Sequence, residues 1–249
     1  MPVHDFNAER LFIDTDLAEG ATYACSSEQA NYLLNVLRLK EGDQILVFNG
    51  RDGEWAAKLT EVAKRRCSLA MEYQTRPQES GPDLVYLFAP LKRARLDYMV
   101  QKAVEMGVST LQPVLTRRTQ VSRVNLERMQ ANAVEAAEQC GILHLPQICE
   151  PLSFERLLAN WDERRRIIFC DEAEAGAADP LAALGKVDNG PLAVLIGPEG
   201  GFDPQERKSL LAKPYTVRIS LGPRIMRADT AAVAALALVN AVLGDWKAS

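Results

Sequence analysis

Two glycine-rich stretches carry the residue types that can hold a small molecule. "LIGPEGGFDPQE" runs from Leu195 to Glu206, and "ISLGPRIMRADTAA" from Ile219 to Ala232. In each, a strand-like apolar run breaks into Gly-Pro and a helical pattern follows. A glycine loop between strand and helix is a common seat for a nucleotide or a phosphate. The first loop is not a phosphate cradle of the Walker type. It lacks the Gly-Lys-[Ser/Thr] ending, and Glu199 would repel an anion. Nor is it G-x-G-x-x-G, which belongs to the first βα unit of a dinucleotide domain. Asp203 suits an N-cap, Pro204 the first helical position, and Glu206 completes a capping box, so the helix positive end is already occupied. Taken alone, this loop also fits a tight turn before a capped helix.

The second loop changes that balance. Ser220, Leu221, Gly222 and Pro223 follow a strand, Arg224 and Arg227 stand three apart, and Asp229 or Thr230 suits the cap of the Ala-rich helix beyond. Glycines let a ligand approach the backbone closely. Two such loops at adjacent strand ends form a slot of N–H and C=O groups, and an adenine edge, with donors and acceptors, suits such a slot.

The elements that must position these loops are legible from periodicity. Before residue 74 the patterns are short and strand-like: "QILVFN" (44–49) and "EWAAKLTEV" (54–62) flank a hairpin-type "GRDG". Ser26 and Gln29 form a capping box ahead of Leu33, Leu34 and Leu37. A stretch over 75–83, rich in Pro, Gly and Ser, reads as a linker. Beyond it, strands alternate with helices. "LVYLFA" (84–89), a weak "LQPVL" (111–115), "RIIFC" (166–170), "LAVLIG" (192–197) and "TVRIS" (216–220) are the strands. A helix with Leu96, Val100, Ala103 and Val104 on one face stops at Gly107, and a longer one over about 125–140 stops at Gly141. The expected organisation is a small β-rich domain over 1–74, a linker, and an α/β domain with a mostly parallel sheet over 84–249.

Composition limits the partners. The chain has 249 residues, 47% hydrophobic and 25% charged, with a net charge of −4. That balance argues against a surface that is wholly a nucleic-acid footprint. The charge is uneven: residues 1–75 hold 8 Lys/Arg against 12 Asp/Glu, and residues 76–249 hold 21 of each. Local clusters at 64–66, 91–95, 116–118 and 164–166 are solvated faces or RNA patches. Five cysteines in no C-x-x-C spacing, with only His4 and His144, read as inert thiols and no metal site. No signal-peptide core or bilayer-length apolar run is present, so a cytoplasmic protein without a membrane partner is expected.

At the paired loops the chain resembles the SPOUT methyltransferases. It is most similar to the bacterial 16S rRNA uridine-N3 methyltransferase family. "VLRLKEGDQILVFNG" (36–50) is similar to that family's PUA-like domain, and "LDYMVQKAVEMGV" (96–108) and "EAAEQCG" (135–141) to its central helices. The resemblance implies a SPOUT domain with a C-terminal trefoil knot, S-adenosylmethionine as cofactor, and a homodimer with the active site near its interface. The substrate it implies is a uridine of helix 44 of 16S rRNA, near the decoding site, in the small ribosomal subunit. Carried over by residue, the cofactor contacts are Ile196, Gly197, Pro198, Glu199, Gly200 and Gly201 from the first loop. From the second they are Ser220, Leu221, Gly222, Ile225, Met226 and Arg227.

The family's Arg-Thr-Glu-Thr is here Arg227-Ala228-Asp229-Thr230, and its N-terminal His is replaced in "NYLLNVLRLK" by Asn31 and Tyr32. Uridine N3 is protonated at neutral pH, so the reaction needs a general base or a cation that stabilises charge on the uracil oxygens. Arg227 is the candidate for the second role, or a structural partner of Asp229 or of the other subunit. Glu199 and Asp229 are the candidate bases. Arg10, Arg38 and Lys40 are candidate phosphate contacts of the PUA-like domain, and Lys92, Arg93 and Arg95 of the α/β domain. A non-catalytic RNA-binding assembly factor on the same fold is the competing reading, separated from it by cofactor binding and methyl transfer.

Overall fold

A computed structural model describes residues 8–121, 123–172 and 179–246, in two units. The first unit is Met1–Ser80 with Ala137–Leu145. Its sheet has the order β1-β3-β4-β5-β2, from β1 (Arg10–Phe12), β2 (Thr22–Ala24), β3 (Gln44–Phe48), β4 (Glu54–Ala63) and β5 (Arg66–Arg76). The expected hairpin is β3 against β4, antiparallel, with Val47 opposite Trp55. Alternation along these strands points Ile45, Val47, Ala57, Leu59, Leu69 and Met71 into one core with Leu33. Helix α1 (Ser27–Asn31) carries the full Ser26–Gln29 capping box and runs on into a π-helical turn, Tyr32–Val36.

The linker starts later than its composition suggests. Thr75 and Arg76 are still strand β5, because Arg76 is buried and its guanidinium lies 3.6 Å from the Glu54 carboxylate. Residues 137–145 also lie in this unit, although sequence pattern places them in the α/β domain. Polar side chains and amides hold them there. The Glu138 carboxylate accepts from the Phe12 amide (2.8 Å), Arg76 donates to the Gly141 carbonyl (2.9 Å), and Gln78 to that of Leu143 (3.2 Å).

The second unit, Gly81–Ala136 with Pro146–Ser249, is built on a parallel sheet. Its order is β12-β10-β11-β6-β7-β8, where β6 is Leu84–Phe88, β7 Thr110–Leu115, β8 Gln147–Ile148, β10 Arg166–Cys170, β11 Leu192–Ile196 and β12 Thr216–Ile219; β9 (Leu152–Ser153) adds to β7. Pro113 is tolerated in β7 because its missing N–H falls between the residues that pair with β8 and those that pair with β9. Successive side chains of the central strands go to opposite faces. Leu87, Ile167, Phe169, Ala193 and Leu195 pack with Phe154 and Leu157 of α4 (Phe154–Ala159) and Leu210 of α6 (Pro204–Leu211). On the other face Tyr86 donates its hydroxyl to the Met99 sulfur, 3.0 Å away on α2 (Arg93–Glu105), and α2 packs against α7 (Ala228–Val242). With both faces covered, the strands read as near-continuous apolar runs. Helix α5 (Pro180–Leu184) and the part of α3 (Leu126–Cys140) up to Ala136 complete the set. No helix among the described residues is long and apolar enough to cross a membrane.

Candidate functional site

Ligands of open parallel sheets sit beyond the carboxyl ends of the strands. Here a cleft of about 920 Å³, including its open mouth, lies at the ends of β10, β11 and β12. The two glycine loops do not follow adjacent strands, as the sequence pattern suggested: β10 lies between β11 and β12 and contributes Phe169, Cys170, Asp171 and Glu172 to the cleft.

The first loop is shaped by its own aromatic residue. Gly201 N–H donates to the Pro198 carbonyl at 2.8 Å, and the chain passes Gly201 with φ of 67°. A Cβ on Gly197 would lie 2.4 Å from the Phe202 ring, so only glycine fits there. Phe202 packs against Phe169 and Phe154, at ring-centre distances of 5.2 and 5.8 Å, and thereby ties the loop to the sheet core. Asp203 caps α6 through the expected capping box, with Pro204 at its first turn. The buried Glu206 carboxylate closes that box and also accepts from the Arg117 amide at 2.9 Å. On the second loop the buried Ser220 hydroxyl accepts from the Gly222 amide at 3.3 Å.

Of the residues expected at the cofactor, Ile196, Gly197, Pro198, Glu199, Gly201, Ser220, Leu221, Gly222, Ile225 and Met226 line the cleft. Gly200 does not; it lines a smaller neighbouring cleft instead. Arg227 and Asp229 also lie outside the lining, although Met226 and Ala228 on either side of Arg227 are in it. Arg227, not Asp229 or Thr230, is the N-cap of α7, and it caps without a side-chain bond. Asp229 falls within the first turn, where its carboxylate accepts from the Thr230 amide at 2.8 Å.

Sequence reasoning missed the end of β10 and the α6 residue it engages. Arg207 donates to the Asp171 carboxylate through Nε (3.0 Å) and Nη2 (2.8 Å), in the forked geometry that suits the two groups. The signal available was an acidic pair directly after an apolar strand, Asp171-Glu172. Burial pushes the Cys170 thiol up to about 12, so no thiolate nucleophile forms in the cleft near neutral pH.

The candidate RNA contacts divide. Arg38, Lys40, Lys92 and Arg93 are exposed. Arg10 is not: its guanidinium is buried on Glu54 at 2.8 Å and cannot reach a backbone phosphate. Arg95 is half-buried and ion-paired to Glu199, so one expected RNA contact and one expected base hold each other.

A family described as an RNA methyltransferase domain matches residues 78–240, and an RNA methyltransferase PUA domain matches residues 26–72. The ribosomal RNA small subunit methyltransferase E of Rickettsia conorii is 31% identical over 93% of this chain and 94% of its own. The chain belongs to the ribosomal RNA small subunit methyltransferase E family. The Bacillus subtilis member is 28% identical over 93% of this chain and 96% of its own. Among solved structures, the Neisseria gonorrhoeae enzyme bound to S-adenosyl methionine superimposes with a TM-score of 0.84 at 25% identity, covering 96% of this chain and 100% of that one. A Legionella pneumophila methyltransferase with bound cofactor gives 0.82 at 26% identity, covering 96% and 99%. This is a family of S-adenosylmethionine-dependent rRNA methyltransferases, and both its PUA-like domain and its parallel α/β sheet are present here.

Proposed function

We propose that this chain transfers a methyl group from S-adenosylmethionine to N3 of one uridine in 16S rRNA, in helix 44 close to the decoding site. The single observation that carries the reading is the cleft at the ends of β10, β11 and β12 in a chain of this family. Its chemistry fits the cofactor. Phe169, Ile196, Leu221 and Met226 offer an apolar wall for adenine, while Glu172 and Arg224 supply charges of both signs for a ligand that carries an ammonium and a carboxylate. S-adenosylmethionine, when bound, supplies an activated methyl group on a sulfonium. The protein's task is to orient the acceptor and to stabilise charge on it.

Of the two routes to a reactive N3, the geometry favours a cation that stabilises the uracil anion left when N3 gives its proton to solvent. Asp229 lies outside the cleft lining and is engaged by an amide of its own helix turn, and in the free protein Glu199 is held by Arg95. Arg227 carries a permanent charge and adjoins cleft residues on both sides. The knotted C-terminal topology implied by the SPOUT resemblance, action as a homodimer in the cytoplasm, and the assembled small subunit as substrate belong to this reading. Ile225 supports the dimer, because an isoleucine 96% exposed at the rim of a ligand cleft calls for a cover. Mass spectrometry of 16S rRNA from a deletion strain tests the proposal. Loss of one N3-methyluridine, restored by the intact gene, is expected; an unchanged modification pattern overturns it.

A further inference from the structure

Beside the cofactor cleft lies a second, smaller one of about 370 Å³ including its mouth, and Pro198 and Glu199 line both. Three cations line the second cleft, Lys92 and Arg95 from the start of α2 and Arg118 from the turn after β7, against the single carboxylate of Glu199. Arg95 is paired with Glu199, and Arg118 donates Nη1 to the Gly200 carbonyl at 2.8 Å. The Lys92 ammonium has no partner among the described residues, and as N-cap of α2 it leaves that helix without a side-chain cap. The surplus of two positive charges is unsuited to a neutral uracil ring and suited to a phosphate, which arginine forks and a lysine recognise together.

We infer that the second cleft seats one phosphodiester of the RNA beside the acceptor nucleotide, with Glu199 as the internal counter-ion that holds Arg95 until that phosphate arrives. This inference rests on the reading of the chain as an RNA methyltransferase. The Arg95 and Glu199 side chains are 37% and 46% exposed, and an ion pair so open to water is weak enough to exchange. When the phosphate enters, the Arg95 guanidinium passes from the carboxylate to the phosphate, and Glu199 is released toward the cofactor cleft that it also lines.

Binding of the full-length protein to a fluorescein-labelled 16S rRNA transcript, measured across a salt series, tests this. The Lys92→Met variant is expected to weaken binding several-fold with an unchanged melting temperature. The Lys92→Met/Arg118→Met double variant should lower the slope of log K against log salt by about 0.7–0.9, one phosphate's worth. Glu199→Gln should bind the transcript more tightly than wild type, since nothing then competes for Arg95. An unchanged salt slope in the double variant overturns the site, and weaker RNA binding by Glu199→Gln overturns the counter-ion role. Inorganic phosphate alone at millimolar concentration should give no saturable heat; saturable heat lost in Lys92→Met would mean a free-anion site and overturn the RNA assignment. Methyl transfer by wild type to small subunits is measured separately. A wild type without transfer whose variants still lose salt slope would remove the proposed reaction and leave the phosphate site standing.

Discussion

Arg10 on β1 and Glu54 on β4 form a buried ion pair 2.8 Å long, with each side chain only 3% exposed. Arg76, also buried, approaches the same carboxylate from β5 at 3.6 Å. Glu54 is thus the shared counter-charge of two buried guanidinium groups. Replacing it with alanine leaves both without that charge, a change that typically costs about 3–5 kcal/mol. Glu54→Ala is expected to show a large drop in urea midpoint. Arg38→Ala, at an exposed site of the same unit, serves as the control and should move the midpoint little. Equal stability of Glu54→Ala and wild type would show that the pair is dispensable.

Gly197 faces the Phe202 ring where any Cβ would intrude to 2.4 Å. Gly197→Ala must push Phe202 out of its contacts with Phe154 and Phe169 or displace the loop. Overpacking of this kind costs about 1–3 kcal/mol. A cofactor affinity at least tenfold weaker by calorimetry, with a lowered melting temperature, is expected. Wild-type values for both would mean that the loop is not held by this ring.

Arg227→Ala is expected to lower kcat for methyl transfer by roughly 10²–10³, the usual consequence of losing one electrostatic contact to a transition state. Cofactor affinity should change only a few-fold, because the side chain lies outside the cleft lining. Near-normal turnover with intact cofactor binding would end the assignment.

Asp97 on α2 receives two hydrogen bonds from Arg128 (2.7 and 2.6 Å) and one from Asn132 (2.9 Å), joining α2 to α3. The Arg128 bonds, above all, hold its carboxyl below the ordinary value of 3.8. A carboxyl lowered on folding contributes stability that is complete above its ordinary value and is lost as pH falls through the folded one. Asp97→Asn should therefore be less stable than wild type near neutral pH, by about 1 kcal/mol given the partial exposure of Arg128. The gap should close as pH drops below that ordinary value. Thermal melts over a pH series decide this, and a gap that persists in acid would refute the linkage.

Much of this molecule is legible in its sequence. Capping boxes at Ser26 and Asp203 are local chemistry, and both formed as read. The β6 and β11 runs were legible because burial on two faces leaves no charged residue in them, and β10 because only its first residue, Arg166, is charged; β12, at the sheet edge, keeps Thr216 and Arg218 half-buried. The site was legible as far as its glycines, whose backbone role is written in residue type. Three features were hidden because they depend on partners distant in sequence. Arg10 looked like a surface cation until Glu54, 44 residues away, was seen to bury it. Asp171 had no visible purpose without Arg207, and Glu199 no visible partner without Arg95, 104 residues before it. Strand order was hidden as well, so β10 was not placed between the two glycine loops.

That strand order gives the cleft a place in time. β12 is made after β10 and β11, yet it pairs with β10, and residues that follow it, between Ser220 and Ala231, form one whole wall. A chain still missing this segment has no cleft, whatever else of it has folded. Cofactor binding thus stabilises only a chain in which this wall is in place. At a hundredfold excess over its Kd that preference amounts to about 2.7 kcal/mol. A truncation ending before Lys213 should keep the first unit's sheet and gain no thermal protection from S-adenosylmethionine at any concentration.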